Sequence, residues 1–275
     1  MKYLIFTDLD GTLLDYDTYE WWGAGKSINY LKKNNFPIIF LTSKTFEETI
    51  VFRKEIGLID YPFAIENGGA IYFPKAYEKF LDRKYKVSDD ELCKIEIGMH
   101  IKSILPLLKE ASKKYEVSVK TIFDFSNNEF KNILNLKGEM IEKVKKREYD
   151  IPFIIIETNN YGTRNFFKEL KAFGLKIVKG GRFYHLSGEY DKGMAAEIIY
   201  KFYKKIYQKN KIKTIGLGDS ENDLSMLKFA DIPVLVKKKD GFYSRKIKNE
   251  IRDIFLTKNP APEGWNEIFE KLFLI

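Results

Sequence analysis

The chain begins Met-Lys-Tyr-Leu-Ile-Phe-Thr, and two aspartates one residue apart, Asp8 and Asp10, follow at once with Gly11-Thr12 behind them. A short apolar run that stops on a carboxylate leaves that carboxylate bare at the end of a buried strand. So placed, it can attack phosphorus and form an aspartyl-phosphate, which splits one hard hydrolysis into two easier steps. It can approach an anionic phosphate only when a cation neutralises the site. Far downstream, Thr214-Ile-Gly-Leu-Gly218 is a second apolar run with an acidic stop, Asp219-Ser220-Glu221-Asn222-Asp223. Mg2+ takes oxygen ligands in octahedral geometry and often binds one or two carboxylates plus substrate phosphate. Asp8 and Asp219 are therefore the first side-chain ligands to expect. Asp10 stands where it can protonate a leaving oxygen and later activate water, as general acid and then base. Thr12 and the backbone around Gly11 can orient it.

The bland alternative for Asp8-Leu-Asp10-Gly is a calcium-loop fragment or an ordinary turn. A calcium loop of the EF-hand type wants further oxygen ligands and a Glu at its twelfth place. Here the ligand places run into Thr12 and Leu14, and Tyr19 takes the twelfth. Two more pieces favour the phosphoryl reading. Thr42-Ser43-Lys44-Thr45 stands at the carboxyl end of the apolar run Pro37–Leu41, where a hydroxyl can bond phosphoryl oxygens. Thr45-Phe-Glu-Glu48 also fits a helix capping box, and both roles can hold at once. Lys192, in Asp191-Lys192-Gly193 before the helical run Met194 to Tyr207, can act as a point charge on the phosphate and the aspartate.

These residues need elements to carry them. Strand-like runs at Tyr3–Thr7, Ile38–Leu41 and Phe63–Ile65 alternate with helical patterns at Gly25–Asn34 and Thr45–Ile56. Asn67-Gly68 marks a turn, with Ala70–Phe73 as a hairpin return. The alternation resumes at Thr214–Leu217, Asn222–Phe229 and Ile232–Val236. Such alternation predicts an α/β fold, a Rossmann-like parallel sheet with helices on its faces. Ligands bind beyond the carboxyl ends of such strands, and Asp8, Thr42 and Asp219 all fall at such ends. Between Leu81 and Gly188 the pattern changes. Helical runs are expected at Glu91–Met99, Lys102–Tyr115 and Lys137–Arg147, and strands at Phe153–Glu157, Lys176–Lys179 and Phe183–Leu186. This predicts an inserted α+β cap over residues 81–188 on a core of residues 1–80 and 189–275, with hinges near Leu81–Tyr85 and Ser187–Glu189. A cap opens for substrate and closes to exclude water.

Asp8-Leu-Asp10-Gly-Thr12, Thr42 after a strand, Lys192, and Gly218-Asp219-Ser-Glu-Asn222-Asp223 together resemble the haloacid-dehalogenase superfamily of aspartate-nucleophile phosphatases, over Tyr3 to Val236. A narrower resemblance spans core and cap. Leu41-Thr-Ser-Lys-Thr45, Glu66-Asn-Gly68-Gly-Ala-Ile71, Arg147-Glu-Tyr-Asp-Ile-Pro-Phe153, Gly181-Arg-Phe-Tyr-His-Leu-Ser-Gly188 and Pro262-Glu-Gly-Trp-Asn-Glu267 look like the mannosyl-3-phosphoglycerate phosphatases. The resemblance implies a cap of the C2 type, Mg2+ held by Asp8, Asp10, Asp219 and Asp223, and catalysis by Asp8, Asp10, Thr42 and Lys192. It implies 2-O-mannosyl-3-phosphoglycerate as substrate and mannosylglycerate, a compatible solute, as product. The glucosyl-3-phosphoglycerate phosphatases share much of the pattern, and spacing does not separate the two sugars.

Substrate contacts are expected from Ser43, Lys44, Asn67, Gly68 and Asn222 in the core. A glycerate carboxylate asks for Arg or Lys, so the cap candidates are Arg147, Arg164 and Arg182, with His185 beside them. Arg164 follows Tyr161-Gly-Thr163 at an expected helix start, where backbone N–H groups also favour an anion. His185, between Tyr184 and Leu186 on a strand, reads first as a packed ring and second as a substrate contact.

Composition agrees with a small-molecule enzyme. The 275 residues are 44% hydrophobic, enough for a sizeable core. No run is long enough to span a membrane, and Cys93 is the only cysteine, so no internal disulfide is possible. Because the first strand delivers Asp8, a cleaved leader is not expected and cytoplasm is the expected location. The net charge of +8 suits an anionic substrate or a nucleic acid. Basic residues are spread along the chain rather than clustered among aromatics, which counts against nucleic acid. Rival readings are another sugar-phosphate phosphatase, a sugar phosphomutase, and a basic nucleic-acid-binding protein. The expected partner is a sugar phosphate alone, with the protein a monomer or homodimer.

Overall fold

Four short apolar runs and the mixed segment Phe255–Pro260 form one parallel sheet. In the computed structural model the strands lie in the order Phe255–Pro260, Ile232–Lys237, Ile212–Gly218, Lys2–Thr7, Ile38–Phe40. The structure describes residues 1–81, 86–87, 91–134, 136, 138–158, 160–179, 183–208 and 210–274. The first strand is apolar without alternation because both of its faces are covered. Ile5 packs with Ile28, Leu31, Trp265 and Phe269 on one side. Leu4 and Phe6 pack with Ala195, Ile199, Met226 and Leu227 on the other. Helices Gly25–Lys33 and Glu263–Phe273 thus cover one face, and Lys192–Tyr207, Leu224–Phe229 and Arg245–Glu250 the other.

A second, antiparallel sheet leans on this core, in the order Phe63–Ile65, Ala70–Pro74, Leu92–Glu96, Lys86–Val87. It corrects one expectation. Glu91–Met99 is not helical: Leu92–Glu96 pairs antiparallel with Ala70–Pro74, with Cys93 opposite Phe73. Leu92, Ile95 and Met99 have helical spacing, but Cys93 and Ile95 share a strand face and pack with Ile71 and Phe73. That burial decides against the helix. Leu92–Glu96 thus belongs to this second sheet, past the expected crossing at residue 81. Residues 82–85 of the expected first hinge lie outside the described residues.

The inserted block is built on an antiparallel sheet in the order Ser118–Thr121, Asp150–Glu157, Tyr184–Ser187, Lys176–Lys179. Helices Ile101–Lys114 and Asn160–Ala172 cover one face, where Ile104, Leu108, Phe166 and Leu170 pack on Ile151, Phe153 and Leu186. Side chains alternate along a strand, so Pro152 and His185, directly opposite each other, fall on the other face. Two short helices, Asn127–Leu134 and Glu139–Lys145, complete the block. The second is shorter than the expected Lys137–Arg147. Ser118–Thr121, Phe255–Pro260 and Glu263–Phe273 lay outside the expected elements. No helix among the described residues is long and apolar enough to cross a membrane.

Candidate active site

Asp8 continues the ladder of the first strand by one residue: its N–H donates to the carbonyl of Leu217 at 3.0 Å. That bond sets Asp8 beside Gly218 and Asp219, at the ends of neighbouring parallel strands. Lys192 comes from the opposite side, on the first turn of Lys192–Tyr207. The helix is capped by Asp191, whose carboxylate accepts from the Met194 N–H at 3.0 Å. Lys192 is fully buried. Its Nζ donates to Asp8 Oδ1 at 2.5 Å and to Asp223 Oδ1 at 2.6 Å. The other oxygen of Asp223 accepts from the N–H groups of Asp219 and Ser220, each at 3.0 Å. Asp223 thus ties the acidic loop to the lysine. One oxygen from each of Asp8, Asp219 and Asp223 lies within 4.8 Å of the others.

Two of these buried carboxylates pair with Lys192, and the third, Asp219, has the Lys238 ammonium 4.0 Å from its Oδ2. Burial, with Asp223 and Asp219 adding to it, pushes Asp8 well above the usual carboxylate range against the pull of Lys192. Burial and then Asp223 push Asp219 up to about 7. Burial works against the charge on Lys192, but Asp223 and Asp8 overcome it and hold the ammonium above its ordinary value. An all-oxygen donor set with surplus negative charge fits a small hard dication.

Asp10 does not join the three. Its Oδ1 pairs with Lys44 Nζ at 2.9 Å. Lys44 is buried, 3.7 Å from Glu48, and lies over the Tyr19 ring at 4.6 Å. Burial lowers its pKa, yet Asp10 and Glu48 raise it further than burial lowers it. Thr42 is fully buried, and its Oγ1 accepts from the Lys44 N–H at 3.1 Å. The expected capping box of Thr45 and Glu48 is present on Phe46–Ile56.

Above the carboxylates is a cavity of about 470 Å³. Asp8, Asp10, Asp219 and Asn222 line its floor. Ser43, Lys44, Tyr16, Tyr19 and Lys238 line its sides. Arg147, Pro152, Phe183 and His185 line it from the inserted block, with Ile122, Leu136 and Val144. Arg164 is not among these residues. It is exposed on Asn160–Ala172, and the sheet lies between that helix and the cavity. Local sequence marked a helix start there but carried no sign of which way the helix would pack. Arg182 lies outside the described residues.

The seam between core and inserted block is polar, and sequence reasoning missed its two acids. Asp150, fully buried, accepts through Oδ2 from His185 Nδ1 at 2.6 Å, from Asn67 Nδ2 at 3.3 Å and from Arg147 Nη1 at 3.4 Å. Arg147 Nη1 also donates to the Ser43 carbonyl at 3.0 Å, while its buried Nε has no hydrogen-bond partner among the described residues. Asn67 Oδ1 accepts from Asn222 Nδ2 at 3.0 Å. Glu66, fully buried, accepts from the N–H groups of Glu148, Tyr149 and Asp150 at 2.9 Å each. Glu66, Asn67 and Gly68 form a left-handed run with φ of 47°, 61° and 99°. Gly68 is required: a Cβ there would lie 2.6 Å from the Asp191 carbonyl oxygen. Period-two alternation could have found Asp150, since it shares a strand face with Pro152.

A family of haloacid dehalogenase-like hydrolases matches residues 5–248 of the chain. The chain is 36% identical to a glucosyl-3-phosphoglycerate/mannosyl-3-phosphoglycerate phosphatase from Persephonella marina, over 96% of this chain and 94% of that protein. It is 32% identical to a mannosyl-3-phosphoglycerate phosphatase from Pyrococcus furiosus, over 85% of this chain and 90% of that one. Its fold is similar to a crystal structure of a Thermoplasma acidophilum protein, with a TM-score of 0.67 at 20% identity over the whole of both chains.

Glu66 makes the stability of the molecule depend on pH. Burial, its largest influence, pushes the carboxyl up to about 7 from an ordinary 4.5, against the pull of Arg147 and of the Tyr149 and Glu148 N–H groups. The folded state then holds this proton more tightly than the unfolded chain. The stabilising contribution is full below about 4.5 and is lost as pH rises through about 7. Relative to Glu66→Gln, the wild type should lose up to about 3 kcal/mol across that window. Urea unfolding at stepped pH measures it, and a difference that stays flat would refute the buried-acid account.

Proposed function

The chain belongs to the haloacid dehalogenase-like hydrolase family, and from that premise we propose that it is a Mg2+-dependent phosphatase hydrolysing 2-O-mannosyl-3-phosphoglycerate to mannosylglycerate and phosphate. The observation that carries the reading is Lys192 held between Asp8 and Asp223 at 2.5 and 2.6 Å, with Asp219 beside them at the floor of a cavity. The names of the relatives from Persephonella and Pyrococcus support the substrate class. The first of those names carries both sugars, which favours the glucosyl ester as a second substrate of the same site.

In this reading Asp8 attacks phosphorus in line and the bond from phosphorus to the glycerate oxygen breaks. Asp10 gives its proton to that leaving oxygen. Asp10 then takes a proton from a water that attacks the aspartyl-phosphate, and free Asp8 and inorganic phosphate result. Lys192 orients Asp8 and holds positive charge against it. Thr42 and Ser43 form the turn against which the phosphate lies. Asp8 and Asp219 would hold Mg2+ with the Asp10 carbonyl, while Asp223 fixes their loop. The ion's chemistry is to neutralise charge so that an anionic nucleophile can meet an anionic phosphate. Arg147, with a free buried donor, is assigned to the glycerate carboxylate, which an arginine binds by charge-assisted and bidentate bonds.

Four outcomes follow from these roles. Released phosphate, measured over a panel of mannosyl- and glucosyl-3-phosphoglycerate, 3-phosphoglycerate and hexose phosphates, should be highest for the two glycosyl esters. It should vanish in EDTA and return with Mg2+; undiminished turnover in chelator would exclude the metal. Asp8→Asn keeps the shape but removes the attacking charge, and kcat should fall by several orders of magnitude. Arg147→Ala should cost about 1.5–3 kcal/mol in kcat/KM for the glycosyl esters, the range for a hydrogen bond to a charged group. Hydrolysis of p-nitrophenyl phosphate, which offers no carboxylate, should fall much less. Equal losses on both substrates would move Arg147 to the phosphate or the fold.

A further inference from the structure

We propose that Asp150 is a positioning residue that fixes a proton on His185 Nδ1, so that in the neutral ring Nε2 accepts a hydrogen bond from a sugar hydroxyl in the cavity. The inference rests on the phosphatase reading only for the identity of that hydroxyl.

Asp150 opens the strand Asp150–Glu157, and its carboxylate is fully buried at the seam. A carboxylate offers no hydrogen, so the 2.6 Å contact between its Oδ2 and His185 Nδ1 puts the proton on the imidazole nitrogen. The hydrogen bond at one ring nitrogen sets the tautomer. Nε2 then carries a lone pair, and His185 lines the cavity. A lone pair welcomes a hydroxyl and refuses an ionised phosphate or carboxylate, which have acceptors only. The anionic end of a ligand therefore belongs with Lys44 and Arg147, and the hydroxyl-bearing end with His185.

The carboxylate cannot swing away from this task. Asn67 Nδ2 and Arg147 Nη1 reach the same Oδ2 from the core turn and from the segment just before the strand. Asn67 is held in turn by Asn222, a residue of the acidic loop between Asp219 and Asp223. The orientation of His185 is thus braced against the loop at the floor of the cavity, through Asp150 and Asn67.

The chain has two histidines, and the second is an internal control. His100 Nδ1 accepts from the Lys102 N–H at 3.2 Å, so its proton sits on Nε2. A long-range 1H–15N spectrum of the full chain, free of ligand and at mildly alkaline pH, should show the two rings in opposite tautomers. Asp150→Asn should move His185 toward the Nε2–H form and leave His100 unchanged. The same variant should raise KM for the glycosyl esters up to about tenfold, the upper end for one hydrogen bond between uncharged groups, with kcat changed less than about threefold. His185 found with its proton on Nε2, or doubly protonated, in the wild type would overturn the proposal whether or not the variant folds. So would an unaltered KM in a folded Asp150→Asn. Failure of the wild type to hydrolyse either glycosyl ester would sink the substrate reading alone, because the tautomer is read without substrate.

Discussion

One ammonium buried among three carboxylates is the constraint on which the rest depends. Lys192 is fully covered, and a buried charge must be paired or lose its proton. Pairing demands that the end of Lys2–Thr7, the loop after Ile212–Gly218 and the first turn of Lys192–Tyr207 meet within hydrogen-bond reach. The parallel register with Thr7 beside Leu217 meets that demand. A slip of one residue would turn Asp8 to the other face of the sheet and strand the lysine. The apolar packing on both faces of the sheet holds the register, and the ion cluster in turn penalises any other one.

The seam between the two parts of the molecule is held differently. Glu66 grips three successive backbone N–H groups of 148–150, and Asp150 gathers donors from three separate segments. Both acids are fully buried. Both oxygens of Glu66 accept hydrogen bonds, whereas Asp150 takes all three of its donors on Oδ2 and its buried Oδ1 has no hydrogen-bond partner among the described residues; removing such partners from a buried carboxylate is costly. The cavity wall is therefore fixed by polar contacts to the core rather than by packing within the inserted block alone.

How much of this could be read beforehand depended on whether the signal was local. Four of the five core strands were legible because a strand covered on both faces is a continuous apolar run, and the acids that end two of those runs are adjacent in sequence to them; Phe255–Pro260, interrupted by Thr257, Lys258 and Asn259, was not. Lys192 was legible by its place before a helix. Leu92–Glu96 was not, because Leu92, Ile95 and Met99 fit a helical spacing and only the neighbouring strand Ala70–Pro74 decides otherwise. Arg164 failed for a related reason: a helix start is local, but the side of a sheet on which the helix lies is not. Glu66 gave no signal, since its partners lie in a distant segment, 148–150; alternation sets Asp150 on the face of Pro152 but does not show the donors that reach it from other segments. The pairing of Asp10 with Lys44 was hidden likewise, because it joins the loops after two different strands.

The place of the first strand within the core sheet also sets an order of events in synthesis. Lys2–Thr7 is an interior strand, between Ile38–Phe40 and Ile212–Gly218. Its second neighbour leaves the ribosome some 200 residues later, on the order of 10–40 s at ordinary elongation rates. Trp265, which donates to Thr7 Oγ1 at 3.0 Å, follows later still. The inserted block pairs its strands within 118–187 and can close on itself in the meantime. For that interval Leu4, Ile5 and Phe6 have one open edge, the kind of unpaired apolar strand on which nascent chains aggregate. The residue that makes the site, Asp8, is thus made some 200 residues before the strand that encloses it.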